Sequence, residues 1–175
     1  QELPGVNVVM TDEDPIGAAR DAVRSEAHLR PDEGVIVLDC DLWFQSASYN
    51  AMVEAALRDE DPIAGGLLTF PSDSPKYSYA KIDENGFVTE TAEKRVISDR
   101  AITGAYFFGR ASEFTEMAWY FLRNPLPEGM NEYYLSHLYN IMLERGGRIR
   151  TAMVDEFDSF GTPEELEAYE ASRAA

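Results

Sequence analysis

The chain has 175 residues, which predicts one domain with a sizeable hydrophobic core rather than two domains. Hydrophobic residues make up 45% of the chain and charged residues 27%, a composition that excludes an intrinsically disordered protein. The formal net charge of -17 argues against binding to nucleic acid or anionic lipid, and the apolar runs are too short for membrane insertion.

The first half of the chain predicts strands and helices in alternation, which is typical of an α/β domain with a largely parallel sheet. The predicted elements are a strand at 6–10, a turn at 11–15, a helix at 16–29, a strand at 35–38, a helix from Ser46 or Ser48 to Leu57, and a strand at 63–70. The run Val35–Leu38 is apolar without a break, which predicts a strand covered on both faces.

The second half continues the alternation and adds a hairpin. Its predicted elements are a β-hairpin of 77–82 and 87–91 around Asn85-Gly86, a strand at 105–108, helices at 112–122 and 131–145, a strand at 148–154, and a last helix from Pro163. Thr162 precedes that last helix as its capping residue. The sequence therefore predicts a mostly parallel sheet flanked by helices, with a β-hairpin insertion.

The single cysteine, Cys40, follows the apolar run, and we predict that it is a small reduced residue of the core. One cysteine allows no intrachain disulfide, which fits a cytoplasmic protein.

Two acids, Asp39 and Asp41, stand at the carboxyl end of the strand at 35–38. Ligands of open parallel sheets bind beyond that end of the strands. Alternate side chains of an extended chain share a face, so both carboxylates can point to one side, where hard oxygen ligands suit Mg²⁺ or Mn²⁺. The alternative is that these acids only end the strand in solvent. A bound metal would also help this acidic protein to hold an anionic nucleotide.

Other segments carry candidate residues with equally plain alternatives. Lys94, next to Glu93, is either a phosphate-binding cation or half of a solvated surface pair. Gly17, at a junction between strand and helix, either lets a base or ribose approach the backbone or is an ordinary turn glycine. Asp158, near the last helix, is either a ligand or a turn residue.

Taken in order, these segments resemble the sugar-phosphate nucleotidyltransferase superfamily over residues 6–171. Asp14-Pro-Ile-Gly17-Ala resembles its P-x-G-T-A loop, and Val37-Leu-Asp-Cys-Asp41 resembles its V-L-N-G-D strand end. Glu93-Lys94 is similar to E-K-P, and Thr103-Gly104-Ala-Tyr-Phe-Phe is similar to T-G-x-Y-x-F. The segment 157–163 resembles W-x-D-I-G-T-P. Each motif is short, and the specificity of the match lies in their common order.

The resemblance implies a Rossmann-like fold of the GT-A type and the joining of a nucleoside triphosphate to a sugar-1-phosphate, with release of pyrophosphate. It implies these roles: Asp41 as a catalytic ligand of Mg²⁺ or Mn²⁺, Lys94 as the catalytic residue on the sugar phosphate, Glu93, Thr103 and Gly104 as sugar-binding residues, and Gly17 and Asp39 as nucleotide-binding residues. Residues 89–104 look closest to a dTDP-glucose pyrophosphorylase-like branch associated with capsule and other surface polysaccharides.

The chain departs from the family pattern in two places. The family's G-x-G-T-R…P-K loop is expected some tens of residues before Val6, so we expect the single domain, residues 1–175, to lack that segment. The family's second metal-binding Asp falls on Ser159, and Asp158 would take its place only through a one-residue bulge.

Two other functions stay open at this point. One is a GT-A glycosyltransferase that uses Asp39-Cys-Asp41 around a nucleotide sugar, and the other is a non-catalytic module that binds a nucleotide or sugar. For a nucleotidyltransferase, the expected partners are nucleotide and sugar-phosphate substrates. Neither nucleic acid binding nor membrane insertion is expected, and a homo-oligomer is left open.

Overall fold

The structure, a computed structural model, describes residues 8–10 and 16–173. The strands are β1 (Val35–Leu38), β2 (Leu42–Gln45), β3 (Gly65–Pro71), β4 (Tyr79–Ile82), β5 (Val88–Ala92), β6 (Arg100–Phe108), β7 (Ile149–Met153) and β8 (Glu156–Ser159). The helices are α1 (Ala18–Val23), α2 (Ala47–Leu57), α3 (Ala111–Leu122), α4 (Leu135–Glu144) and α5 (Pro163–Arg173), with a 3₁₀ turn at Glu26–His28. In this part of the chain no helix is both long and apolar enough to cross a bilayer.

Six of the strands form the central sheet, and β6 is its middle strand. β6 pairs antiparallel with β1, β3 and β4, while β3 pairs parallel with β7 and β4 pairs antiparallel with β5. The strands β1, β3, β4 and β7 therefore run in one direction, and β5 and β6 run in the other. The predicted α/β class and the β4–β5 hairpin are confirmed, and most strands share one direction as predicted, although among the neighbouring strands of the described sheet β3 and β7 are the pair that is directly parallel.

The two faces of the sheet bury separate clusters of apolar side chains. Alternate residues of β6 divide between them, because Phe108 belongs to the cluster beneath α3 and α4 while Phe107 belongs to the cluster beneath α2. Tyr139 of α4 is fully buried, and its hydroxyl donates to the carbonyl oxygens of Phe107 at 2.8 Å and Gly66 at 3.2 Å. That pair of bonds ties α4 to the middle of the sheet without an unpaired buried hydroxyl.

Two helix starts follow their predicted caps. The side chain of Ser46 accepts a hydrogen bond from the backbone nitrogen of Tyr49 at 3.0 Å, one turn into α2. The hydroxyl of Thr162 accepts one from the backbone nitrogen of Glu165 at 3.2 Å, and α5 begins at Pro163 as predicted.

The strand β1 corrects two expectations. Its alternate residues Ile36 and Leu38 are 44% and 52% exposed, so β1 is covered on one face in the described part of the chain. The reason is that only Val35 and Val37 face the core cluster, and an apolar run alone does not show how many layers cover a strand. Cys40 is exposed rather than buried, because the chain bends away from the sheet after β1.

The elements predicted for residues 6–29 also differ from the structure where it describes them. Val8–Met10 lie outside any strand, and the rest of the strand at 6–10 and the turn at 11–15 fall outside the described residues. The helix predicted at 16–29 ends at Val23, and a 3₁₀ turn follows it.

The strands β2 and β8 form a separate two-stranded antiparallel ribbon, which the sequence did not predict. Each strand has four residues, and their partners are more than 100 positions apart along the chain. Such short strands lack a clear alternation of apolar and polar residues, so only the tertiary pairing reveals them.

Candidate functional site

Five of the predicted site residues line one open pocket of about 240 Å³: Asp39, Asp41, Glu93, Thr103 and Gly104. Asp39 and Asp41 reach it from the bend after β1, and Thr103 and Gly104 lie in the middle strand β6. Glu93 follows the end of β5. The fold thus brings together residues that are spread over 65 positions of the chain, from 39 to 104.

Asp39 is held against β6 at a glycine. Its backbone nitrogen donates to the carbonyl oxygen of Gly104 at 2.9 Å. Gly104 has φ of 102°, and an ideal Cβ built there would lie 2.3 Å from Asp39 Oδ2. A side chain at position 104 would therefore displace the Asp39 carboxylate from its place in the pocket.

The pocket concentrates negative charge. The pKa of Asp39 is raised to about 6, mainly by burial and in addition by the nearby carboxylates of Asp41 and Glu93. The pKa of Tyr106, a buried residue that also lines the pocket, is raised by burial and then by Asp39 and Glu93. Mutual repulsion of this kind favours a bound cation or a shared proton.

The raised pKa of Asp39 makes stability depend on pH. The folded state holds the proton more tightly than the unfolded chain, so stability falls as the pH rises from about 4 to about 6. We expect Asp39→Asn to abolish this fall and to gain about 1 kcal/mol over the wild type between pH 4 and pH 7, since solvent screens the partly open carboxyl. Urea unfolding of both proteins at the two pH values measures the difference, and an equal difference at both would contradict it.

The carboxylate of Glu93 is held by two serine hydroxyls. Ser78 donates a hydrogen bond to Glu93 Oε2, and Ser136 donates to the same oxygen at 2.9 Å. Ser136 is 2% exposed, and its carbonyl oxygen accepts a hydrogen bond from Thr91. These bonds fix the orientation of the carboxylate at the wall that the pocket shares with a neighbouring cleft of about 590 Å³.

Lys94 lines that neighbouring cleft and not the pocket. Its backbone has φ of 50°, and its ammonium donates to the hydroxyl of Tyr134 at 3.1 Å. Tyr134 lines both cavities, so Lys94 stands one side chain away from the acids. Its role as the catalytic, phosphate-binding lysine stays a prediction.

Packing against the backbone explains why position 17 is a glycine. Its φ is 131°, and a Cβ there would lie 2.4 Å from the backbone nitrogen of Tyr133. The close approach that the sequence predicted is thus made by the protein backbone, while the next residue, Ala18, lines the pocket. Nucleotide binding at Gly17 stays a prediction.

Asp158 does not join Asp41, which corrects its expected place in a metal site. The ribbon pairs Ser159 with Leu42 and Asp158 with Trp43 in a regular register, without the bulge that would shift Asp158. Because successive side chains of a strand alternate, Ser159 lines the pocket and Asp158 points to the other face.

The acids that line the pocket suit a hard divalent cation that is bound partly by carboxylates and partly by a phosphate group. An ideal Cβ on Gly161 would lie 2.9 Å from Asp41 Oδ2, so the glycine leaves the space beside that oxygen open. The described residues contain no group of three or more His, Cys, Asp or Glu suited to hold a metal ion. Phosphate oxygens and water would complete the coordination, as is usual for Mg²⁺.

Sequence reasoning missed three polar residues of this region: Lys76, Ser78 and Ser136. Lys76 and Ser78 lie in the loop before β4 and line the pocket, and Ser136 is in the first turn of α4. No motif marks them, because single serines and lysines in loops are common. A signal was present only in the run Lys76-Tyr-Ser78, which places polar groups directly before the predicted hairpin.

Comparisons with known proteins agree with the fold. No family model matches the sequence, and a search of curated proteins finds no match. The nucleoside-diphosphate-sugar pyrophosphorylase from Vibrio cholerae RC9 superposes with a TM-score of 0.76 at 22% identity, over 90% of this chain and 66% of that one. A provisionally assigned glucose-1-phosphate thymidylyltransferase from Bacillus anthracis, in complex with a sucrose, superposes with a TM-score of 0.69 at 20% identity, over 91% of this chain and 62% of that one.

The chain therefore spans somewhat less than two thirds of the length of either structure. At this level of identity the likeness concerns the fold. The chain shares the arrangement of strands and helices of both structures, and the α/β fold that the sequence predicted is confirmed.

Proposed function

We propose that the protein joins a nucleoside triphosphate to a sugar-1-phosphate. In this reaction a phosphate oxygen of the sugar-1-phosphate attacks the α-phosphorus of the triphosphate. The bond from the α-phosphorus to its bridging oxygen breaks, and pyrophosphate leaves with that oxygen. The product is a nucleotide sugar, and we propose that it serves the synthesis of a surface polysaccharide.

The observation that carries the proposal is the convergence of Asp39, Asp41, Glu93 and Thr103-Gly104 on one pocket. They converge within a fold shared with a nucleoside-diphosphate-sugar pyrophosphorylase. A fold alone hosts many functions, so the argument depends on the chemistry of this pocket. An acidic pocket of about 240 Å³ suits a small polyhydroxylated ligand held beside a metal-bound phosphate.

Each residue has a definite part in this proposal. Asp41, with Asp39 beside it, would hold Mg²⁺ or Mn²⁺, and the ion would neutralise charge on the phosphate oxygens. The Glu93 carboxylate, oriented by Ser78 and Ser136, would accept hydrogen bonds from sugar hydroxyls. Gly104 keeps the Asp39 carboxylate in place through its missing side chain. Catalysis then consists mainly of positioning and charge neutralisation.

Release of pyrophosphate tests the proposal. Full-length protein is incubated with a panel of nucleoside triphosphates and sugar-1-phosphates, with Mg²⁺ or with a chelator, and pyrophosphate is measured by a coupled assay. We expect release with at least one pair of substrates, and the chelator should lower it by a factor of about 100 or more, since the metal carries much of the charge stabilisation.

Two other results would contradict the proposal. A product formed only from a preformed nucleotide sugar would indicate a glycosyltransferase, which the Asp39-Cys-Asp41 pair at the pocket would also serve. Binding of nucleotide by calorimetry without turnover in any metal would indicate a binding module, a function that Ser159 in place of a carboxylate would favour.

A further inference from the structure

The pocket presents a charge problem that the proposed function does not solve. Asp39, Asp41 and Glu93 line it, and the whole chain has a formal net charge of -17, yet the proposed substrates are anions. A metal ion can offset part of this repulsion, but anionic ligands are usually also held by a positive side chain. Among the described residues that line the pocket, Lys76 is the one lysine or arginine.

Lys76 is held in place from two sides. Its ammonium donates to Glu165 Oε1 at 2.7 Å, and the other oxygen of that carboxylate accepts from the Ser159 hydroxyl at 2.8 Å. The ammonium also lies 4.7 Å from the centre of the Tyr77 ring, which packs at 4.9 Å against the ring of Phe70. These contacts tether the cation to α5, to the ribbon and to the loop before β4.

The contacts that hold Lys76 in place still allow its ammonium to bind an anion. An ammonium has three donors, and Glu165 accepts from it through a single oxygen. The hydrogen bond to Glu165 raises the pKa of Lys76, so the side chain stays charged throughout the neutral range. About half of the side chain, 54%, is exposed, and Lys76 lines the pocket, so an incoming anion can reach it.

Lys94 does not line the pocket, in contrast to Lys76. Its ammonium contacts Tyr134 and lines the neighbouring cleft, and within residues 16–173 it has no hydrogen bond to a carboxylate that would hold it toward the acids. Lys76 lines the same pocket as Asp39, Asp41 and Glu93. Of the two lysines, Lys76 is the one that the fold already places beside these acids.

We propose that Lys76 is the phosphate-binding cation of this pocket and that Glu165 is the residue that positions it. The inference deepens the proposed function, on which it rests for the view that the ligand carries a phosphate group. The binding of phosphate is measured without turnover, so the two proposals can fail separately.

The probes are inorganic phosphate and inorganic pyrophosphate, titrated into the full-length protein by calorimetry at low ionic strength. We expect Lys76→Met to weaken the affinity for both by about tenfold or more, the effect of losing one charge-assisted hydrogen bond. Lys81→Met is the matched control, because Lys81 is an exposed lysine of β4, the strand that follows this loop, and lies outside the pocket; it should change the affinity less than about twofold. Lys76→Arg should restore binding to within about threefold of wild type.

The positioning role of Glu165 needs its own pair of variants. Glu165→Gln should weaken phosphate binding by about threefold or more, since the ammonium loses its anchor. Glu164→Gln, one residue earlier on α5, should leave it unchanged. Thermal unfolding of each variant serves as the check on folding, and we expect little change because exposed ion pairs contribute little to stability.

The possible results separate the two proposals. If the wild type does not bind phosphate, if Lys76→Met binds it as the wild type does, or if Lys81→Met loses as much affinity, the inference is wrong. Equal affinities of Glu165→Gln and Glu164→Gln would overturn the positioning role. Phosphate binding that depends on Lys76 in a protein without nucleotidyl transfer would leave the inference standing and overturn the proposed function.

Discussion

Asp41→Asn should lower the rate of pyrophosphate release by a factor of about 100 or more, because it removes a carboxylate that we place at the metal. The change keeps the size and shape of the side chain. The carbonyl oxygen of Asp41 keeps the hydrogen bond that it accepts from the backbone nitrogen of Phe160 at 2.7 Å. We therefore expect the variant to fold normally and to lose activity through its charge.

Asp158→Asn is the matched control for that experiment. Both aspartates lie near the β2–β8 ribbon, but Asp158 is paired with Trp43 and points away from the pocket. We expect its rate to stay within about threefold of the wild type, as for most surface substitutions. An effect of Asp158→Asn as large as that of Asp41→Asn would mean that the register of the ribbon is wrong or that the metal lies elsewhere.

Gly104→Ala should lower the free energy of unfolding by about 2–4 kcal/mol and abolish most of the activity. The backbone at Gly104 has φ of 102°, where a side chain is strained. In addition, the new Cβ would lie 2.3 Å from Asp39 Oδ2 and 2.8 Å from Leu42 Cδ2. The collision pushes Asp39 and the start of β2 away from β6, so both stability and the pocket suffer.

Gly129→Ala separates the collision from the backbone strain. Gly129 also has positive φ, at 84°, but no atom of the described residues lies within 4 Å of an ideal Cβ there. We expect it to lose about 1 kcal/mol and to keep its activity. Chemical denaturation measures both variants, and equal losses of stability would show that the contact with Asp39 is unimportant.

The sequence predicted the framework well where a local pattern is strong. The cap at Ser46 and the Thr162-Pro163 start of α5 depend on neighbouring residues alone, and both are present in the structure. The turn around Asn85-Gly86 is equally local, and the hairpin forms around it. The motifs also placed Asp39, Asp41 and Glu93 in a common site, and the structure brings all three to one pocket.

The sequence was less informative where the outcome depends on distant partners. The apolar run Val35–Leu38 predicted a strand correctly, but which of its faces is buried depends on the neighbours of β1. The exposure of Cys40 follows from a bend that no local pattern marks. The ribbon of β2 and β8 exists only because its two short strands meet, and its register then decides that Ser159 and not Asp158 faces the pocket.

The amino-acid sequence by itself determined the fold class and named the acidic strand end of Asp39 and Asp41, because those signals lie within a few adjacent residues. The tertiary structure alone decided which polar groups join them. Lys76 comes to the pocket through a loop tethered by Glu165, a residue 89 positions away, and Lys94 faces a different cleft although its neighbour Glu93 reaches the acids. The direction of one long side chain depends on contacts far along the chain, and such contacts leave no periodic or motif signal in the sequence.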